Sequence, residues 1–490
     1  MTTPAPASPT AQPSPGPAPA PAGHGWEAVS IVLAGAFMAL LDTTIVNVAL
    51  PSIRTGLQAS PASLEWIVSG YALSYGLALV PGGRAGDRFG HKRLFLTGLT
   101  IFTLASVGCG LAQDQGQIVA ARIVQGLGAG LFFPAISATI QHAFTGPARS
   151  KAFGVLGAVI GASTAMGPLL GGLIIAAAGT AAGWRWVFLV NLFIGAVAIP
   201  VAAWRLPRSA ARNRRGFDPA GLLLLTGGLL LLLIPLVEGQ QDGWPAWTWI
   251  CFACSAVAFA ALAAWERRAE RRGGDPLLKP ALLRQTSFSA GAIFAVVFFG
   301  GFSSIFFTLS ILWQAGLHHS ALITGLVIAP YSVGLLAAAA NSDRLSARLG
   351  RMVLVLGCAL LIAGLAVTIL VIHVTAPATA GWDLIGPLLV AGLGTGMTIA
   401  PNQDFVLATV PRQEAGTASG ILGTSQRLGT AIGIAVIGTV LFGTLRFVPG
   451  PAAVASAFSH SAQLALLANL GFLVLALILV LALPRQIPGH

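Results

Sequence analysis

Two charged residues lie where lipid should be. The run Val29–Leu50 is long and apolar enough to cross a bilayer as one helix, yet it carries Asp42. A carboxylate at that depth costs about 2.5–3.5 kcal/mol on insertion scales, so it asks for a partner, a proton or a cation. A second apolar run, 117–140, carries Arg122. At 1.5 Å per residue, Asp42 falls about 10 Å from the far end of its helix, and Arg122 about 8 Å below the same surface. The two charges share a depth, which predicts a direct or water-bridged pair. Such a pair is read first as a proton-coupling site and second as a purely structural ion pair. A cation beside Asp42 keeps it ionised and burial favours its neutral form, so alternation between the two environments would bind and release a proton.

The elements that must hold these residues follow from composition. The 490-residue chain is 55% hydrophobic and 9% charged, with a mean hydropathy of +0.82, which excludes an ordinary soluble domain. Apolar segments fall at 28–49, 65–84, 94–112, 117–140, 151–176 and 185–204, then 218–236 and 246–265, then 287–309, 320–340, 352–373, 383–403, 415–441 and 463–483. That is an all-α polytopic membrane protein of fourteen spans. With the N-terminus inside, 22 of the 27 basic residues fall in cytoplasmic segments, which predicts cytoplasmic termini at both ends. The net charge of +12 is therefore topological and does not imply nucleic acid. The two basic loops 205–217 and 266–286 flank spans 218–265 and divide the chain. Residues 26–205 form a six-helix bundle, 206–285 the basic loops with two inserted helices, and 286–485 a second six-helix bundle. Residues 1–25, rich in Pro and Ala without Lys or Arg, are expected to be a disordered tail with no cleavable signal, and 486–490 a short cytoplasmic tail.

Between spans 2 and 3 stands Gly82-Gly83-Arg84-Ala85-Gly86-Asp87-Arg88-Phe89-Gly90-His91-Lys92-Arg93. Its glycines permit a tight turn, and Asp87 could cap a helix or pair with an arginine. The pattern G-x-x-x-D-R-x-G-x-[KR]-[KR] resembles the loop signature of the major facilitator superfamily. Four further stretches resemble its fourteen-span drug/proton antiporters: Leu41–Pro51, Arg122–Ala129, Gly161–Gly172 and Gly216–Gly221. The resemblance implies two six-helix bundles related by a pseudo-twofold axis, plus two inserted helices. It further implies proton-driven efflux of hydrophobic, often cationic drugs or antibiotics, with no cofactor but the proton gradient. Asp42 and Arg122 would couple protons. Gly83, Asp87, Arg88, Gly90, Lys92 and Arg93 would form a conformational gate. Gly161, Gly167, Pro168, Gly171 and Gly172 would form the antiporter motif of helix 5. In the second half, aligning Arg348–Gly350 with Arg88–Gly90 puts Ala347 opposite Asp87, so the counterpart gate departs from the pattern.

Candidate cavity residues are Asn47, Tyr71, Tyr75, Gln125, Phe132, Gln314, Tyr331, Asn402 and Arg427, a sparse polar set among aromatics that suits a bulky amphipathic ligand. The partners expected are a small-molecule substrate, protons and the lipid bilayer, with the chain acting as a monomer in a bacterial cytoplasmic membrane. A dedicated exporter of an endogenous antibiotic or metabolite fits the same motifs, and proton-coupled uptake or a non-transporting scaffold fits them less well. No lysine follows a glycine and no HExxH or GxSxG occurs, which argues against a built-in ATPase or hydrolase. Cys251 and Cys254 form a lone CxxC in an apolar run, weak evidence for a metal, so no metal site is expected.

Overall fold

The computed structural model describes residues 22–144, 146–179, 182–207, 218–239, 243–274, 276–277, 284–375, 381–408, 410, 415–446 and 451–481. Among them are fourteen long helices: α1 (Ala22–Leu57), α2 (Pro61–Phe89), α3 (His91–Leu111), α4 (Gln115–Ala143), α5 (Gly146–Ala178), α6 (Gly183–Arg205), α7 (Pro219–Glu238), α8 (Ala246–Arg271), α9 (Thr286–Ile311), α10 (Ala321–Ala339), α11 (Met352–Val374), α12 (Ile385–Ala408), α13 (Ala415–Gly443) and α14 (Pro451–Val480). Thirteen are long and apolar enough to cross a membrane; α2, diluted by glycine, serine and tyrosine, falls outside that set. Helix starts follow local chemistry. Ser60, Asp114, Asp218 and Ser320 each accept a backbone N–H three residues on, at 2.9–3.2 Å, opening α2, α4, α7 and α10.

The helix pairings repeat. In the first bundle α4 packs on α2 and α3, α5 and α6 pack on α1, and α6 on α3. Adding eight to each label gives the second bundle: α12 on α10 and α11, α13 and α14 on α9, and α14 on α11. The two bundles meet through α5–α10 and α2–α13, which exchange under the same operation. A pseudo-twofold relation is therefore built into the contacts themselves. The inserted pair α7–α8 packs mainly on itself, with α7 also lying on α2 and α13, where Thr439 Oγ1 donates to Leu236 O at 2.8 Å.

Several boundaries differ from the sequence reading. α1 begins at Ala22, inside the expected tail, and Trp26 packs on Phe144 at a centroid distance of 4.8 Å. It also runs through Pro51 to Leu57, because one lost hydrogen bond does not end a helix packed on α4, α5 and α6. α9 continues as a π turn, Leu312–Gly316, and a short helix, Ser342–Leu349, precedes α11. The tails 1–21 and 482–490 and most of loop 205–217 lie outside the described residues.

Since successive helices alternate in direction, the starts of the odd-numbered helices share one face with the basic α2–α3 loop. At the opposite face the bundles are clasped. Ser310 Oγ donates to Asn47 O at 2.5 Å, and Gln314 Nε2 donates to Val48 O at 2.8 Å, joining α9 and its π turn to α1.

A buried carboxylate–guanidinium centre

Asp42 and Arg122 meet. They form an ion pair through Oδ2 and Nη1, with Asp42 1% exposed and Arg122 fully buried. Every surrounding bond has an identifiable source. Asp42 Oδ1 accepts from Gln125 Nε2 at 2.9 Å and from Asn191 Nδ2 at 3.1 Å. Arg122 Nε donates to Ile67 O at 2.8 Å, and its Nη1 also donates to Gln125 Oε1 at 2.9 Å. The guanidinium lies over the Tyr71 ring, 4.1 Å from its centroid, while the Tyr71 hydroxyl donates to Ala39 O at 3.0 Å. Residues 122 and 125 are one turn apart on α4, so a single helix face delivers both side chains to Asp42.

Asn191 and Ser106 complete the centre and were not among the sequence candidates. Asn191 on α6 donates to both Asp42 and Ser106 Oγ (3.0 Å), and Ser106 donates to Phe188 O at 2.9 Å. The available signal was slight: Asn191 is the one side-chain amide in span 185–204. Replacing it with Leu should remove one donor from Asp42 and one from Ser106 Oγ, at a cost of about 1–3 kcal/mol. The purified variant is expected to unfold at a lower temperature than wild type, and Asn191→Asp, which sets a second carboxylate against Asp42, at a lower temperature still.

The remaining candidates separate. Tyr75 stands one turn along α2 from Tyr71, in edge contact at 5.8 Å, and Arg427 of α13 lies over the Tyr75 ring at 4.2 Å. Tyr331 bonds Thr395 Oγ1 at 2.5 Å within the second bundle and stacks on Phe302 at 6.3 Å. Asn402, 2% exposed, lies against Gly291 of α9. Three candidates are not placed as cavity groups. Phe132 is fully buried inside the first bundle, packed edge-on to Phe95 and Phe102 at 5.7 and 5.9 Å. Asn47 turns its amide onto Thr43 O and Thr44 O of its own helix, at 3.3 and 3.4 Å. Gln314 belongs to the clasp between α1 and the α9 π turn.

The α2–α3 connection is a single residue. Gly90 has φ +94°, a conformation that favours glycine, and it alone separates Phe89 from His91. Lys92 Nζ donates to Leu206 O at 2.6 Å, at the end of α6, and Arg84 donates to Pro276 O beyond α8. Arg88 and Arg93 are exposed, a Cβ on Gly83 would meet Pro134 Cβ at an ordinary contact distance of 3.8 Å, and the side chain of Asp87 lies outside the described residues. Those of Ser342, Asp343 and Ala347 do so too. The glycines of α5 form a contact stripe: Gly167 and Gly171 face Thr44 and Ile45 of α1, Gly161 and Gly172 face Leu336 and Ala321 of α10, and Pro168 O lies against Gly325.

Two repeated helical bundles around buried charges, inside a largely apolar exterior, define a polytopic membrane transporter. Residues 32–434 match the Major Facilitator Superfamily. The chain belongs to that superfamily. It is 40% identical over 421 residues to a probable actinorhodin transporter of Streptomyces coelicolor, covering 86% of this chain and 73% of that one. It is 32% identical to the puromycin resistance protein of Streptomyces alboniger (93% and 90% covered) and 30% identical to the tetracenomycin C resistance and export protein of Streptomyces glaucescens (86% and 76%). Among solved structures, an auto-inhibited peptide transporter of the POT family shares the fold with a TM-score of 0.64 at 17% identity, over 93% of this chain and 95% of that one. The inward-open xylose transporter of E. coli shares it with a TM-score of 0.59 at 14% identity, over 91% and 96%. A small-molecule substrate and a multi-pass membrane setting follow from the family.

Proposed function

We propose that the chain is a proton-driven exporter of hydrophobic antibiotics or drug-like molecules, acting as a monomer in a bacterial cytoplasmic membrane with both termini cytoplasmic. The observation that carries this reading is the Asp42–Arg122 pair, a titratable carboxylate held deep between helices by one cation and two amides. In one state the ionised carboxylate is locked to Arg122. A proton reaching Asp42 from the outside cancels its charge and frees the guanidinium to hold only Ile67 O, Gln125 and the Tyr71 ring. The bundles rock between these two states, and no cofactor beyond the proton gradient is required. The export direction is supported by the relatives, whose names speak of resistance and export.

Energised everted vesicles with a pH-sensitive dye inside test the reading. Addition of a transported antibiotic is expected to release protons from the lumen. No release across a broad panel, puromycin and ethidium included, would overturn antiport. A second reading, dedicated export of an antibiotic made by the same cell, is favoured by the 40% identity to a probable actinorhodin transporter. It predicts release by one chemical class only.

A further inference from the structure

Arg427 stands twelve residues into α13, about 18 Å along the axis from its start and about 24 Å from its end. That depth is beyond the reach of lipid headgroups, and an arginine there normally faces a partner. Arg122 has Asp42; among the described residues no carboxylate pairs with Arg427. Its guanidinium rests on the Tyr75 ring at 4.2 Å. The Tyr75 hydroxyl is fully buried and finds no acceptor for its proton, because its charged neighbour can only donate. A guanidinium and an undonated phenol proton thus stand together with no carboxylate paired to them among the described residues.

The setting is closely packed and shared by both bundles. A Cβ on Gly76 would lie 2.8 Å from Arg427 Cβ, and Thr424 Oγ1 donates to Gly76 O at 2.9 Å, so α2 and α13 touch at this level. Phe133 of α4 packs on the far edge of Tyr75 at 5.8 Å, adding an apolar wall. Along the ladder Arg122–Tyr71–Tyr75–Arg427 the described charges are one carboxylate and two guanidiniums, a net charge of +1.

We infer that Arg427 and Tyr75 form the charge-recognition site for the cargo, and that the cargo is an aromatic anion, bearing a carboxylate or phenolate that accepts from both. The inference rests on the reading of the chain as a small-molecule exporter and revises the cationic substrate expected from the family resemblance. A carboxylate matches the planar guanidinium by two parallel hydrogen bonds, and a cation would meet a centre already positive. The energetics of export agree. With one proton entering per cycle, an anion leaving moves two charges in the direction that an inside-negative potential favours, whereas a neutral analogue moves one.

Binding of three fluorescent probes to the purified full-length protein in nanodiscs at pH 7 decides the matter: anthracene-9-carboxylate, its primary amide and 9-anthracenemethylammonium. Wild type is expected to prefer the carboxylate over the amide by about tenfold or more, the worth of a charge-assisted hydrogen bond. Arg427→Gln should erase that preference, Arg427→Lys should keep most of it, and Tyr75→Phe should reduce it several-fold. Equal or tighter binding of the amide or the ammonium to wild type, a preference that survives Arg427→Gln, or no binding of any probe overturns the assignment. Arg427→Lys and Tyr75→Phe keep the test decidable should Arg427→Gln fail to fold. Because binding is measured without a gradient, failure of export in vesicles leaves this result standing, and failure of the probes leaves export standing.

Discussion

Asp42→Asn is expected to abolish gradient-driven transport in everted vesicles while leaving gradient-free exchange of labelled for unlabelled substrate intact. The two readouts separate coupling from architecture. Asn is nearly isosteric with Asp and its carbonyl still accepts from Gln125 or Asn191, so the packing of α1 against α4 and α6 is retained. What it cannot do is lose and regain a proton. Breaking a buried ion pair by removing one partner costs about 3–5 kcal/mol in soluble proteins. Here Arg122 keeps Ile67 O, Gln125 Oε1 and the Tyr71 ring, so the loss should lie at or below that range and the variant should reach the membrane. Asp42→Asn combined with Arg122→Gln removes both charges and is expected to unfold at a higher temperature than Arg122→Gln alone, which strands the carboxylate. If exchange and gradient-driven transport fall together in Asp42→Asn, the pair is a structural brace and has no proposed coupling role.

The charges at this centre were legible because hydropathy makes them anomalous: a carboxylate and a guanidinium cannot hide in apolar runs. Counting residues from the helix ends then set them at one depth, and the structure has them in direct contact. Asn191 was not legible in the same way, since an amide in a span costs little and no spacing rule ties residue 191 to residue 42. Glu65 is a further case. It sits at the first residue of the 65–84 segment, where an acid reads as interfacial, yet it is 1% exposed. The reason is tertiary. α2 begins four residues earlier, at Pro61, and Gly438 of α13 lies directly against the Glu65 carboxyl. The inserted α7 is pinned alongside by Trp66 Nε1, which donates to Glu238 Oε1 at 2.9 Å. Facing is the quantity that a one-dimensional pattern lacks. Tyr75 and Phe132 are both aromatic residues in spans, and only packing shows that one meets the other bundle and the other is core. The fourteen-helix count and the division into two bundles with an inserted pair needed no such information, because they depend only on where apolar runs stop and basic loops fall.

Gly172→Leu is expected to hold the transporter open at the face remote from the basic loops. At this point α5 and α10 approach so closely that even a Cβ on residue 172 would lie 2.7 Å from Ala321 O and 2.9 Å from Leu322 Cα. Both are backbone atoms and cannot rotate aside, so the helices themselves must part. Overpacking of this kind costs about 1–3 kcal/mol, and tenfold in an equilibrium constant is about 1.4 kcal/mol. The strain falls only on the state in which this face is closed, the state clasped by Ser310 to Asn47 O and by Gln314 to Val48 O. A conformation in which α10 has swung away escapes it, so the population shifts toward that conformation rather than toward unfolding. A single cysteine at position 314, in a background without Cys109, Cys251, Cys254 and Cys358, reports the shift. A membrane-impermeant maleimide added at the face remote from the basic loops should label it roughly tenfold faster or more when residue 172 is Leu than when it is Gly. Net transport should fall with it, because a cycle that cannot close at this face cannot reset. Equal labelling rates in the two backgrounds would mean that the α5–α10 contact is static packing, and the glycine stripe would then have no part in alternation.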